Sequence, residues 1–184
     1  INYINSLIKV GFDIIDFGSF VSPKAVPQMR DTYKVINELK IQDKTSLLAI
    51  VLNKRGAIDA SSFEQIKILG YPLSISEFFQ KNNSNCDIKS SLLIIDDILN
   101  ICLKKNKSLL IYFSMAFGNT YNEDWNVNLL LEYVNEISKK GIKMISLADT
   151  TGQASDKLIT DVYSEVFNSF HHLDIGLHLH THPD

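Results

Sequence analysis

The stretch HLHTHPD, residues 178–184, places His178, His180 and His182 at alternate positions in a chain with five histidines. On a strand, alternate side chains share a face, so this spacing aims three imidazoles at one point. Neutral imidazole nitrogens bind divalent first-row metals, and the motif therefore predicts a metal site. Its bland alternative is a polar strand end or an engineered tag. Two carboxylates have a comparable placement: Asp16 in DFGSF and Asp149 in LADTTG each close a short apolar run. Acids at strand ends orient substrates or move protons, and they also anchor loops or cap helices.

The elements that would hold these groups are short, β-branched, apolar runs at 12–17, 47–52, 71–75, 109–113, 143–147 and 174–179. Between them, apolar spacing predicts helices. One spans 87–105, with Asp87 as N-cap and Ile88, Leu92, Ile95, Leu99 and Cys102 on one face. Others cover 124–140, closed by Gly141, and 156–170, capped by Ser155. The shortest covers 59–69, closed by Gly70, and 82–85 in KNNSN reads as a polar turn. Continuous apolar runs alternating with helices imply parallel βαβ units. Such units build either an open doubly wound sheet or most of a (β/α)8 barrel. No GxGxxG or GxxxxGK[ST] follows the first run, against a nucleotide-binding sheet. Each run is followed by a polar cluster: DFGSF, NKRG, SISE, YFSM, LADTTG and HLHTHPD. Barrel enzymes carry their active sites at such strand ends, so the barrel is the expected fold.

Composition narrows the setting. The hydrophobic fraction of 45% and charged fraction of 21% belong to a globular chain, not a disordered one. A net charge of −3 gives no footprint for nucleic acid. No apolar run approaches the roughly 20 residues of a membrane span. Cys86 and Cys102 have neither metal spacing nor a disulfide framework, and Cys102 reads as a core residue. A cytoplasmic location is expected, with a mitochondrial or other organellar matrix left open because the chain starts at Ile1.

IIDFGSFVSPKAVPQM, residues 14–29, resembles the second-strand segment of 3-hydroxy-3-methylglutaryl-CoA lyases. There an acidic residue precedes Ser-Phe-Val-Ser-Pro-Lys and Val-Pro-Gln-Met. SLADTTGQA (146–154) resembles their sixth-strand Ser-Leu-x-Asp-Thr-x-Gly, and HLH (178–180) the His-x-His of their seventh. NKRG (53–56) and YFSMAFG (112–118) fall in the family order between them. The first motif is specific to the lyases. The others are shared with a wider superfamily of metal-dependent acyl-CoA lyases and synthases.

The resemblance implies an α/β, (β/α)8 TIM barrel, of which 1–184 forms a single incomplete catalytic domain covering roughly strands 2 to 7. The implied activity is that of a carbon–carbon lyase, cleaving 3-hydroxy-3-methylglutaryl-CoA to acetyl-CoA and acetoacetate with Mg²⁺ or Mn²⁺. This reaction serves leucine degradation and ketone-body metabolism. His178 and His180 match the two imidazole ligands, and His178 is also the candidate acceptor of the substrate's hydroxyl proton. Asp149 and Asp16 would orient the substrate, while Tyr112, Thr150, Asn53 and Ser19 would hydrogen-bond its acyl group. Structural alternatives stand beside these roles: loop anchors for the two acids, and an amphipathic core position for Tyr112. Lys24 is either a CoA-phosphate contact or a solvated loop lysine. The implied partner is an acyl-CoA, with no nucleic acid or membrane, and a homodimer is allowed.

The sequence also departs from the family. Asp16 stands where most lyases carry glutamate, and Thr-His-Pro-Asp replaces Asp-Thr-Tyr-Gly after the second ligand. His182 thus has no family role and reads as a loop residue. The family's first-strand Arg-Asp pair would precede Ile1, and its cysteine loop would follow Asp184. Six of eight barrel units are therefore expected, with unpaired edges on the first and last strands. Two other readings remain: a synthase condensing acetyl-CoA with a 2-oxo acid, and a non-catalytic truncated barrel.

Overall fold

Between consecutive strands lies at least one helix, as parallel pairing demands, because a parallel strand can follow only after a crossover. A computed structural model describes residues 1–41 and 44–180. The first elements are α1 (Asn2–Val10), β1 (Ile14–Ser19), α2 (Thr32–Asn37), β2 (Ser46–Ile50), α3 (Lys54–Ser61) and β3 (Ile66–Ser74). A 3-10 turn at Pro27–Met29 precedes α2. Then come α4 (Glu77–Ser84), α5 (Ile88–Lys105), β4 (Ser108–Ser114), α6 (Val127–Lys139), β5 (Met144–Asp149), α7 (Asp156–Ser169) and β6 (Asp174–Leu179). The strands form one sheet in the order β1-β2-β3-β4-β5-β6. Each strand lies beside its predecessor in sequence, as in a (β/α)8 barrel, whereas a doubly wound sheet reverses at a switch point. β1 and β6 stand at the two ends of that order, matching the expected edges.

The chain divides into two compact units, Ile1–Tyr71 with Asp97–Leu109, and Pro72–Asp96 with Leu110–Asp184. In the first, β2 is buried along its centre by Leu47, Leu48 and Ala49, each with 0% exposure, the signature of a strand covered on both faces. It pairs in parallel with β1 (Ile15↔Leu47) and with β3 (Ile50↔Gly70). A bulge between Asp16 and Gly18 shifts the β1 register just before its end.

The helix expected over 59–69 is corrected here. α3 stops at Ser61, and 66–74 is strand. Ile66 and Ile68 are buried on either side of exposed Lys67, an alternation of period two that a stretch this short shares with helical spacing. Gly70 is accordingly a strand residue opposite Ile50, not a helix cap.

In the second unit, β4 and β5 run in register from Leu110↔Met144 to Phe113↔Leu147. Leu130, Val134 and Ile137 of α6 and Val162 and Val166 of α7 are buried. Their caps follow the sequence expectation: Ser155 Oγ accepts from Leu158 N at 3.2 Å, and Gly141 closes α6 at φ 85°. Asp87 Oδ1 likewise accepts from Ser90 N at 2.7 Å at the head of α5. The expected turn at 82–85 is corrected. Asn82, Asn83 and Ser84 continue α4, and Asn85 caps it in the left-handed region. That helix has few apolar residues to signal it because it buries a glutamine. Gln80 is 1% exposed and bonds Ser74 N, Ser84 Oγ and Ser91 Oγ.

Cys102 is a core residue, and burial pushes its thiol up to about 11. Cys86 is also a free thiol. Among the described residues, no helix is long and apolar enough to cross a membrane.

Gly56 gives a test of packing in the first unit. Glycine to alanine inside a helix usually stabilises by up to about 1 kcal/mol. A Cβ at Gly56, however, would lie 2.3 Å from the carbonyl oxygen of Phe20. Gly56→Ala should therefore destabilise the full-length protein by about 1–3 kcal/mol, read as a lower urea midpoint. An unchanged or higher midpoint would show that this backbone yields.

Candidate active site

β4, β5 and β6 bring five of the expected residues into the second unit. In parallel strands, residues in register share a face, and β5 pairs with β6 through Ser146↔Gly176 and Ala148↔His178. Tyr112 is in register with Ser146, so Tyr112 and His178 belong to one face. Their rings meet edge to face, with centroids 5.4 Å apart at 83°. His180, two residues on, lies 5.3 Å from His178 at 62°. The alternation expected from HLH is thus realised as an imidazole pair beside a phenol.

His178 is exposed as a residue, yet its ring is partly withdrawn from water. That desolvation, and secondarily the charge that His180 carries when protonated, holds the His178 imidazole below the usual histidine range. The ring is therefore held in the neutral form that ligates metals and accepts protons. The two imidazoles fit the nitrogen half of a divalent-metal site. Among the described residues, no group of three or more His, Cys, Asp or Glu is placed to hold a metal ion. His182, the third member of the triplet, lies outside the described residues.

Asp149 is 5% exposed, and its oxygens face the loop that follows it. Oδ1 accepts from Gly152 N at 3.0 Å, from Gln153 N at 3.4 Å and from Thr151 Oγ1 at 3.4 Å. Oδ2 accepts from Ala154 N at 3.0 Å. A carboxylate taking several backbone N–H groups is strongly held and orders the loop around it. Thr150 Oγ1 accepts from Met115 N at 2.9 Å, and Ala116 N donates to the Ala148 carbonyl at 3.2 Å. The ends of β4 and β5 are thereby tied together. Met115, buried and non-glycine, sits at φ 61° in the left-handed region. Thr150 acts there as an acceptor and keeps its own O–H to donate.

The first unit holds Asp16, Ser19 and Asn53. Asp16 is exposed on β1, before the bulge, and Ser19 ends that strand. Asn53 caps α3, its Oδ1 accepting from Gly56 N at 2.9 Å. A cavity of about 440 Å³ has both Ser19 and Asn53 in its wall, together with Arg30 and Arg55. The two arginines were not among the residues expected from sequence. Arg55 could have been found two positions after Asn53 in NKRG. Lys24 is exposed and does not line the cavity.

Residues 1–184 match the family described as HMGL-like. The chain is 29% identical over 183 residues to the hydroxymethylglutaryl-CoA lyase YngG of Bacillus subtilis, covering 98% of this chain and 60% of that protein. It superposes on a Bacillus subtilis HMG-CoA lyase crystal structure with a TM-score of 0.91 at 29% identity, over 98% of this chain and 60% of that one. An HMG-CoA lyase from Acinetobacter baumannii, solved with coenzyme A and 3-methylmalate, gives a TM-score of 0.89 at 28% identity. That match covers 98% of this chain and 58% of the other. The fold is a (β/α)8 TIM barrel in part, and the chain spans about 60% of the length of the Bacillus relative.

Two measurements follow from the geometry. In the metal-free, full-length protein, the His178 ring followed by NMR should titrate below the ordinary histidine value of about 6.5. His180→Ala should raise that midpoint without restoring the ordinary value, because desolvation is the larger cause. A midpoint at or above the ordinary value would contradict this account of the ring's surroundings. For the loop, Asp149→Asn leaves one amide oxygen where two carboxylate oxygens accepted. Exchange of the Gly152 or Ala154 amide should quicken by about tenfold or more, the equivalent of one lost charge-assisted bond. Unchanged protection at both amides would show that the loop holds itself.

Proposed function

The chain belongs to the HMGL-like family, and from that premise we propose that the protein containing it is a hydroxymethylglutaryl-CoA lyase. SFVSPKAVPQM supports the lyases over other acyl-CoA enzymes, as do the lyases among its relatives. The observation that carries the mechanism is the cluster of Tyr112, His178 and His180 at the ends of β4 and β6.

Cleavage of 3-hydroxy-3-methylglutaryl-CoA is a reverse-Claisen reaction. Its tertiary hydroxyl loses a proton, the oxygen's electron pair becomes the ketone of acetoacetate, and the adjacent carbon–carbon bond breaks. The bonding pair leaves on the acetyl-CoA fragment as a thioester enolate, which is then protonated on carbon. His178 is the proposed acceptor of the hydroxyl proton, and its edge-to-face contact with the Tyr112 ring would help to orient the imidazole. His180, together with His178 while that ring is not carrying the proton, would hold a divalent cation (Mg²⁺ or Mn²⁺), which would supply Lewis-acid chemistry at the reacting oxygens.

Thr150 donates its remaining O–H toward the acyl group. Asp149 orients substrate through the loop it holds, as a positioning residue. Asp16, Ser19 and Asn53 supply further polar contacts to the acyl-CoA, and Tyr112 offers its hydroxyl. The cavity beside Ser19 and Asn53, with Arg30 and Arg55 in its wall, suits an anionic arm such as coenzyme A carries. The coenzyme A in the Acinetobacter lyase supports that substrate class.

The test is acetoacetate release from 3-hydroxy-3-methylglutaryl-CoA by the full-length protein, with and without chelator. His180→Ala should weaken Mn²⁺ binding, since an imidazole ligand is lost. His178→Ala should lower kcat at saturating metal by about 10²-fold or more, as expected for a removed proton acceptor. Turnover that survives complete metal removal sinks the mechanism. Condensation of acetyl-CoA with a 2-oxo acid, and no cleavage, would replace the lyase by a synthase.

A further inference from the structure

The loop between β4 and α6, residues 115–126, is held along most of its length. At its start, Met115 N bonds Thr150 Oγ1, and Gly118 N closes a turn on the Met115 carbonyl at 3.2 Å. In its middle, Asn119 Oδ1 accepts from Tyr121 N at 2.9 Å and from Glu123 N at 3.3 Å. Asn119 Nδ2 donates to the Glu123 carbonyl at 3.0 Å. At its end, Asn126 caps α6 through Leu129 N at 3.0 Å. These bonds give the loop its own shape, but only a distant partner can fix where that shape sits.

The distant partner is the start of α4. Ser76 is 2% exposed, and its Oγ accepts from Phe79 N at 3.1 Å as the helix cap. The Ser76 hydroxyl proton then goes to Glu123 Oε2. Glu123 Oε1 takes a second donor, Phe78 N, at 3.0 Å. Beside the carboxylate, the Tyr121 ring packs on Phe78 at 4.7 Å and on Phe79 at 6.4 Å. A negative charge at a helix N-terminus is favoured by the unpaired N–H groups there, so the contact is attractive from both sides. Glu123 and Ser76 lie 47 residues apart in sequence.

We propose that Glu123 is a positioning residue: it latches the β4–α6 loop to the head of α4. Through that loop it sets the turn that follows Tyr112, and so the affinity for acyl-CoA. The substrate named here rests on the proposed lyase reading; the latch itself does not. Its mechanical logic is that Tyr112, near the end of β4, and Met115, the first residue of the loop, are three residues apart. The Ser114 carbonyl between them already accepts from Ile75 N at 3.2 Å, on the segment that leads into α4. Release of Glu123 would leave the turn held at its start alone, by Ile75 N on the Ser114 carbonyl and by the bonds to Ala148 and Thr150.

The experiment uses the full-length protein with Glu123→Ala and Glu123→Gln, read by amide exchange and by steady-state kinetics. In Glu123→Ala, exchange at Phe78 and at the remote Met115 amide should both quicken by about tenfold or more, as for a lost charge-assisted bond. KM for 3-hydroxy-3-methylglutaryl-CoA should rise about tenfold while kcat stays within about threefold, the pattern of weakened binding without lost chemistry. Glu123→Gln keeps an oxygen for Phe78 N, so it should restore that amide's protection and most of the KM. Faster exchange at Phe78 with Met115 and KM unchanged would reduce Glu123 to a helix cap and overturn the proposal. A fall in kcat at constant KM would overturn it too. A wild-type protein with no lyase activity would refute the preceding section, and the two amides would still decide the latch. If Glu123→Ala fails to fold, Glu123→Asp, whose shorter side chain cannot reach Phe78 N and Ser76 Oγ together, carries the same comparison: faster exchange at both amides with a raised KM is expected, and a deprotected Phe78 with normal Met115 exchange and normal KM is the contrary result.

Discussion

A slip of β6 by one residue against β5 would turn His178 and His180 to the opposite face and bring Leu177 and Leu179 in their place. Period-two alternation makes strand register an all-or-none choice, so the pairing Ala148↔His178 decides whether an imidazole site exists at all. The same register runs from Met144↔Asp174 to Asp149↔Leu179, along a β5 that is buried from Ile145 onward. Leu177 and Leu179 of β6 are each 41% exposed, so burial of that strand's own tip contributes little to the choice. The site is thus positioned by the core beneath it.

Polar groups of the second unit fall into two kinds. Asp149, Thr150, Ser76 and Glu123 are committed to backbone or side-chain donors of neighbouring segments. Strand ends in a barrel must give way to loops whose backbone N–H groups need partners, and side-chain oxygens supply them. Carboxylates do this well because an ionised acceptor bonds about twice as strongly as a neutral one. The imidazoles are the other kind, engaged chiefly through ring contacts. A rigid frame of satisfied polar groups around a small number of reactive ones is what preorganised catalysis requires.

That division also explains the electrostatics. Withdrawing the His178 ring from water disfavours its charged form, and a second imidazole nearby works in the same direction. Asp149, the acid that ends β5, is engaged with its own loop. At Cys102 the same physics acts on an acid: burial raises the thiol and leaves it inert, so the cysteine packs rather than reacts.

Much of this architecture was legible in the sequence. Apolar runs placed β4 to within a residue at each end, β5 to within two, and β6 with both ends. Local capping residues, Asp87, Ser155 and Gly141, marked α5, α6 and α7. Alternation in HLH put two imidazoles on one face, and DFGSFVSPKAVPQM carried the family. These features are encoded between residues near each other in the chain, where hydrophobic period and cap chemistry operate. Other features were decided only by tertiary structure. Residues 66–69 suit helix and strand alike, and pairing of Gly70 with Ile50 chose the strand. α4 was hidden because its buried residue is a glutamine, bonded to Ser84 within the helix and to Ser74 and Ser91 on either side of it. The engagement of Thr150 with Met115 and of Glu123 with Ser76 spans 35 and 47 residues. No local pattern specifies such pairs, because they exist only once strands and helices from distant parts of the chain have packed and left particular donors beside particular oxygens.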